Sequence, residues 1–88
     1  HWIPSTRQIQ KAGTPYSLVK KSGLDLSLVC YSDSIPEATV YWTLKNEIVS
    51  YSTTLDIANL TKSDAGRYYC YAANSYDTKI SEMRLRIH

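Results

Sequence analysis

The stretch Asp64-Ala65-Gly66-Arg67-Tyr68-Tyr69-Cys70 constrains this chain more than any other, because it combines a turn, an inward hydroxyl and an inward thiol. An acid, a small residue and a glycine are turn formers. The residues that follow put Tyr68, Cys70 and Ala72 on one side and Tyr69, Tyr71 and Ala73 on the other, the period of a strand with two different faces. A loop therefore feeds a strand whose inner face holds a cysteine. The second cysteine, Cys30, ends Leu24-Asp25-Leu26-Ser27-Leu28-Val29-Cys30, where Leu26, Leu28 and Cys30 share a side. Two strands thus offer one inward thiol each, and Trp42 stands between them in Val40-Tyr41-Trp42.

The order Cys30, Trp42, Cys70, with Tyr68 two residues before the second cysteine, resembles the immunoglobulin domain. In that family the tryptophan packs on an intersheet disulfide and the tyrosine hydroxyl closes a corner. Tyr68, Cys70, Ala72 and Asn74 also match the spacing Y-x-C-x-A-x-N, which resembles the I-set subtype, and the resemblance runs from about Gln8 to Ile87. It implies an all-β, two-sheet immunoglobulin-like sandwich, with strands A, B and E packed on A′, G, F, C and C′. It further implies a Cys30–Cys70 disulfide and a core signature of Trp42, Tyr68, Asp64, Gly66, Leu28 and Ile57. The domain is expected over 8–88, with 1–7 a linker or N-terminal extension in which Trp2 touches a neighbouring domain or the edge of this one.

Eighty-eight residues make one small domain, burying only somewhat over ~60% of its unfolded surface, so a covalent staple matters. Closing the loop from Cys30 to Cys70 contributes about 4 kcal/mol in the chain-entropy picture. Two cysteines on facing strands favour an oxidising, extracellular setting; reduced cysteines in a cytoplasmic core are the alternative. A formal net charge of +2, with basic residues scattered along the chain, points to no nucleic-acid partner. The chain carries no apolar run long enough to insert in a membrane, no signal-peptide pattern and no lipidation motif, and it reads as a domain of a longer protein.

Gln8-Ile9-Gln10 and Tyr16 to Lys20, separated by Ala12-Gly13-Thr14-Pro15, read as a first strand that breaks and switches sheets. Lys21-Ser22-Gly23 turns into strand B, and the polar segment from Tyr31 to Glu37, with Pro36, is a loop before strand C at Thr39 to Leu44. Lys45-Asn46-Glu47 is a turn signal, and Ile48-Val49 gives at most a short C′ strand. Only Ser50 to Thr54 then precede Leu55-Asp56-Ile57 of strand E, so strand D is expected to be short or absent. Asn59-Leu60-Thr61 ends strand E with Leu60 inward. The last strand spans Ile80 to Ile87 after a turn from Asn74 to Lys79, with Asp77 where the I-set usually has glycine.

Catalysis needs convergent groups, and few are present. The histidines, His1 and His88, stand at the two ends, both cysteines belong to the core, and three glycines form no phosphate loop. No enzyme activity, metal or small-molecule cofactor is expected of the domain itself. Asn59-Leu60-Thr61 is an N-glycosylation sequon, with Asn59 pointing outward at a strand end.

Alternation sorts the outer face of C, F and G as Tyr41, Tyr69, Tyr71, Arg84 and Arg86, residue types enriched at interface hot spots. Tyr and Arg also pair across strands simply to support a sheet. The outer positions of B and E, namely Asp25, Ser27, Asp56 and Ala58, are small or acidic and look solvated. The expected function is a noncatalytic recognition module of a cell-surface receptor, adhesion or secreted protein. It would bind a protein partner, homophilic or heterophilic, through the C-F-G sheet, beside neighbouring domains of its own chain. An intracellular structural I-set domain of a muscle or cytoskeletal scaffold, or a spacer without a ligand, is the alternative.

Overall fold

The protein is described by a computed structural model covering residues 8–32 and 38–88. The segment 1–7, including Trp2, and the loop residues 33–37, including Pro36, lie outside the described residues. The described residues form eight strands: β1 (Gln8–Lys11), β2 (Tyr16–Lys20), β3 (Leu26–Tyr31), β4 (Thr39–Leu44), β5 (Glu47–Ser50), β6 (Thr54–Ile57), β7 (Gly66–Ala73) and β8 (Thr78–Ile87). They make a three-stranded sheet, β1-β3-β6, and a five-stranded sheet, β2-β8-β7-β4-β5. These are the two expected sheets, with the strand labels A, A′, B, C, C′, E, F and G falling on β1 to β8 in order.

Alternation builds the core. In β3 the buried set is Leu26, Leu28 and Cys30, in β7 it is Tyr68, Cys70 and Ala72, and in β8 it is Ser81, Met83 and Leu85. A period of two sends each of these sets to one face, and the two apolar faces bury each other. Trp42 is fully buried, and the Cys30–Cys70 disulfide joins the sheets with Cα atoms 6.5 Å apart. Leu60 closes one end of the core, 1% exposed, and Ile57 packs against it half-buried.

No strand lies between β5 and β6, as the short spacing implied. Hydroxyls do the work of the missing strand. Ser50 Oγ and Ser52 Oγ both donate to the Thr54 carbonyl, at 2.8 and 3.1 Å, and Ser52 Oγ accepts the Thr54 N–H at 3.1 Å. The Thr53 carbonyl accepts from the Cys30 N–H at 2.8 Å and from the Trp42 indole N–H at 3.2 Å. The shortened connection is thereby tied to both core markers, the disulfide strand and the tryptophan.

The first strand does more than break. β1 pairs with β3 in parallel, reaching the end of β3 at Lys11 opposite Tyr31. The chain then turns at Gly13, whose φ of +92° suits glycine, and β2 runs parallel to β8 in the other sheet. Polar groups hold the turn against β8. The buried Gln10 donates through Nε2 to the carbonyls of Thr14 (2.8 Å) and Glu82 (3.2 Å), and the Gly13 N–H donates to buried Ser81 Oγ.

Three boundaries differ from expectation. β6 ends at Ile57, before the Asn59 sequon, and the pairing continues through Leu60 N–H to Leu24 O (2.8 Å) and Gly23 N–H to Leu60 O (2.7 Å). β8 starts at Thr78, because Ala73 pairs with Thr78 and leaves a four-residue connection, Asn74 to Asp77. Asn74 Oδ1 accepts the N–H groups of Tyr76 and Asp77, both at 2.8 Å, and Asp77 Oδ1 accepts the Thr78 N–H. None of the four has positive φ, so Asp77 needs no glycine's freedom. β5 starts at Glu47, not after it, because Lys45 and Asn46 alone make the β4–β5 turn; both have positive φ, the signature of a two-residue turn that matches strand twist.

Candidate recognition face

The outer face of the five-stranded sheet is read from its cross-strand rows. Tyr41 of β4 stands opposite Tyr71 of β7, which stands opposite Ile80 of β8. The next row holds Ile48 of β5, Thr43, Tyr69 and Glu82. Beyond it, Arg67 pairs with Arg84, and Arg84 with Ser17 of β2; Arg86 pairs with Val19.

Tyr41 and Tyr71 stack with ring centroids 4.8 Å apart and planes 3° from parallel, leaving both rings half-buried. Ile80 is 54% exposed and Ile48 45%, so aliphatic surface flanks the tyrosines on two sides. The strongest charges lie toward the other end. Glu82 Oε1 sits 3.3 Å from Arg67 Nε and 3.8 Å from Arg84 Nη2. The face therefore divides into an aromatic and aliphatic part and a basic part.

Tyr41, Tyr69, Tyr71, Arg84 and Arg86 all fall on this face. Sequence reasoning passed over Ile48, Ile80, Arg67 and Glu82. Ile80 and Glu82 have the same parity as Arg84, so alternation carried a signal for them. The small sheet is also less uniformly polar than Asp25, Ser27, Asp56 and Ala58 suggested. Ile9, opposite Val29, and Tyr31 are outward, with Ile9 64% exposed.

The turn before β7 is a corner. Tyr68 O–H donates to the Asp64 carbonyl at 2.6 Å, and Asp64 Oδ2 accepts the Thr61 N–H at 2.8 Å around a 3-10 turn, Lys62–Asp64. Burial, and then the Asp64 carboxylate, push the Tyr68 hydroxyl up to about 12 from its usual 10.0. Gly66 has a φ of +152°, and an added Cβ would sit 3.4 Å from Leu44 Cδ1. Asn59 is exposed with a φ of +53°, its N–H donating to Asp25 Oδ1 at 2.8 Å.

Among the described residues no group of three or more His, Cys, Asp or Glu side chains is arranged to hold a metal ion. Among the described residues no helix is long and apolar enough to cross a membrane.

Known proteins bear on this geometry directly. An immunoglobulin domain profile matches residues 8–74. Contactin-2 of Rattus norvegicus is 37% identical over 60 residues, 59% of this chain and 6% of contactin-2. Neogenin of Homo sapiens is 30% identical over 84 residues, 83% of this chain and 6% of neogenin. The chain thus spans a small fraction of these relatives. Among solved structures, the N-terminal four immunoglobulin domains of Dscam1 superpose with a TM-score of 0.77 at 22% identity, covering 91% of this chain and 20% of that one. Titin M4 gives 0.73 at 19% identity, covering 83% and 88%. Two sheets, a core tryptophan against an intersheet disulfide, a tyrosine corner and the profile match all agree: the chain belongs to the immunoglobulin domain family.

Proposed function

We propose that this domain is a noncatalytic, extracellular protein-recognition module that binds its partner through the outer face of the five-stranded sheet. The observation that carries the reading is the aromatic patch. Tyr41 stacked on Tyr71, with Tyr69, Ile48 and Ile80 around them, presents large rigid rings and aliphatic surface to solvent. Such surface costs little side-chain entropy to immobilise and is the type found at interface hot spots. Matched relatives of the adhesion and receptor type support the setting. So does the Cys30–Cys70 disulfide, a kind of bond that forms and persists mainly in oxidising compartments.

The test is a Tyr41→Ala, Tyr69→Ala, Tyr71→Ala variant of the full-length parent protein, with its fold checked by circular dichroism and its binding by surface plasmon resonance. Retained folding with binding weakened by about tenfold or more supports the reading. Retained folding with unchanged binding overturns it. Thiol titration of denatured, native-source protein tests the setting: two reactive thiols would move the domain to an intracellular structural role.

A further inference from the structure

The basic end of the same sheet holds a second feature. Between β2 and β8 lies a hollow of about 160 Å³ lined by Ser17, Leu18, Val19, Arg84 and Arg86. The parallel register sets Ser17 opposite Arg84 and Val19 opposite Arg86 on its rim. The two arginines are one strand repeat apart, roughly 7 Å along β8. Their charges are poorly matched at home. Glu82 is shared by Arg67 and Arg84, at 3.3 and 3.8 Å, and among the described residues Arg86 has no ion pair.

We propose that this hollow is a carboxylate-binding pocket that captures an acidic side chain from an extended segment of a protein partner. The proposal rests on the reading of this sheet as a protein-recognition face. A guanidinium presents a planar fork of donors that matches both oxygens of a carboxylate, and no ion pair among the described residues occupies the Arg86 fork. Ser17 adds a hydroxyl donor on the opposite rim, and Val19 gives the methylene stem of a glutamate apolar contact. β2 is an outermost strand of its sheet, so its outward backbone groups are available to an extended segment lying beside it. A sulfated polysaccharide fits less well. It needs a run of unpaired cations, whereas here Arg67 and Arg84 share one carboxylate and, among the described arginines of this face, Arg86 is the one without an ion pair.

The experiment is an NMR amide-shift titration of the 88-residue chain with a dodecapeptide of alternating threonine and glutamate, and separately with a heparin-derived hexasaccharide. The pocket predicts saturable peptide-induced shifts at Ser17, Val19 and Arg86, including the Arg86 Nε–Hε signal. Binding should weaken by about tenfold or more in Arg86→Gln and less in Arg86→Lys, both with otherwise native spectra. A Tyr76→Ala variant, in the β7–β8 connection at the other end of β8, should bind the peptide as the parent does. Absence of saturable shifts, or equal affinity in Arg86→Gln, overturns the pocket. If Arg86→Gln does not fold, Ser17→Ala and Arg86→Lys take its place, and undiminished affinity in both overturns the pocket equally. Hexasaccharide binding that depends on Arg86, without peptide binding, overturns the choice of occupant. Failure of the pocket leaves the tyrosine test of the recognition face standing, and failure of the tyrosine test leaves the peptide titration standing.

Discussion

Replacing Tyr68 with phenylalanine keeps the ring in the core and deletes one hydroxyl, which isolates the corner. That hydroxyl donates to the Asp64 carbonyl at 2.6 Å, and the residue is 2% exposed. A lost bond of this kind costs about 1 kcal/mol, rising to about 2 if the carbonyl is left unsatisfied. At neutral pH the variant should therefore be less stable by roughly that amount. Alkali gives a sharper signature. The folded-state pKa, raised to about 12, lies above the ordinary value of 10.0. The neutral hydroxyl's contribution is thus fully present below pH 10 and is lost as pH rises through 12. Two units correspond to roughly 3 kcal/mol. The phenylalanine variant has no such group, so the stability difference should shrink above pH 10 and vanish or reverse near pH 12. Urea denaturation of both proteins at intervals from about pH 7 to 12 measures it. A difference that stays flat from about pH 9 to 12 would refute the assignment of the buried, corner-bonded tyrosine.

Two further outcomes follow from named residues. A Cys30→Ala, Cys70→Ala variant opens a loop with a sequence separation of 40 and should lose about 4 kcal/mol, a large share of a small domain's stability, read as a lower urea midpoint. Asn59, exposed after β6, should carry an N-glycan when the chain passes through a secretory host. Peptide-N-glycosidase treatment should then lower its mass, and Asn59→Gln should abolish the shift.

Much of the architecture was legible because alternation is a local property. Leu26, Leu28 and Cys30, or Tyr68, Cys70 and Ala72, declare an inner face from sequence alone, and the short Ser50 to Thr54 spacing declares a missing strand. The parallel course of β1 beside β3 was not legible. Ala12-Gly13-Thr14-Pro15 marks a break whether the chain kinks or reverses. What selects the reversal is non-local, the Gln10 amide bonding to Thr14 and Glu82, and Ser81 receiving the Gly13 N–H. The β7–β8 turn is shorter than expected for a local reason instead, since side-chain oxygens of Asn74 and Asp77 close it without glycine. On the candidate face the tyrosines followed from parity. The Ile48 contribution depended on the β4–β5 register, which shifts between Trp42 and Thr43 and which spacing does not reveal.

The most direct test of the recognition face is hydroxyl-radical footprinting of the full-length parent protein in its native assembly, compared with the isolated 88-residue chain. Tyr51 and Tyr76, each 83% exposed and outside the strands that form the face, serve as internal references. The account predicts that Tyr41, Tyr69, Tyr71 and Ile80 are oxidised several-fold more slowly in the assembly while the two reference tyrosines react equally in both. Equal oxidation of the face tyrosines in the two samples, or protection of Ile9 and Tyr31 on the opposite sheet instead, would contradict it.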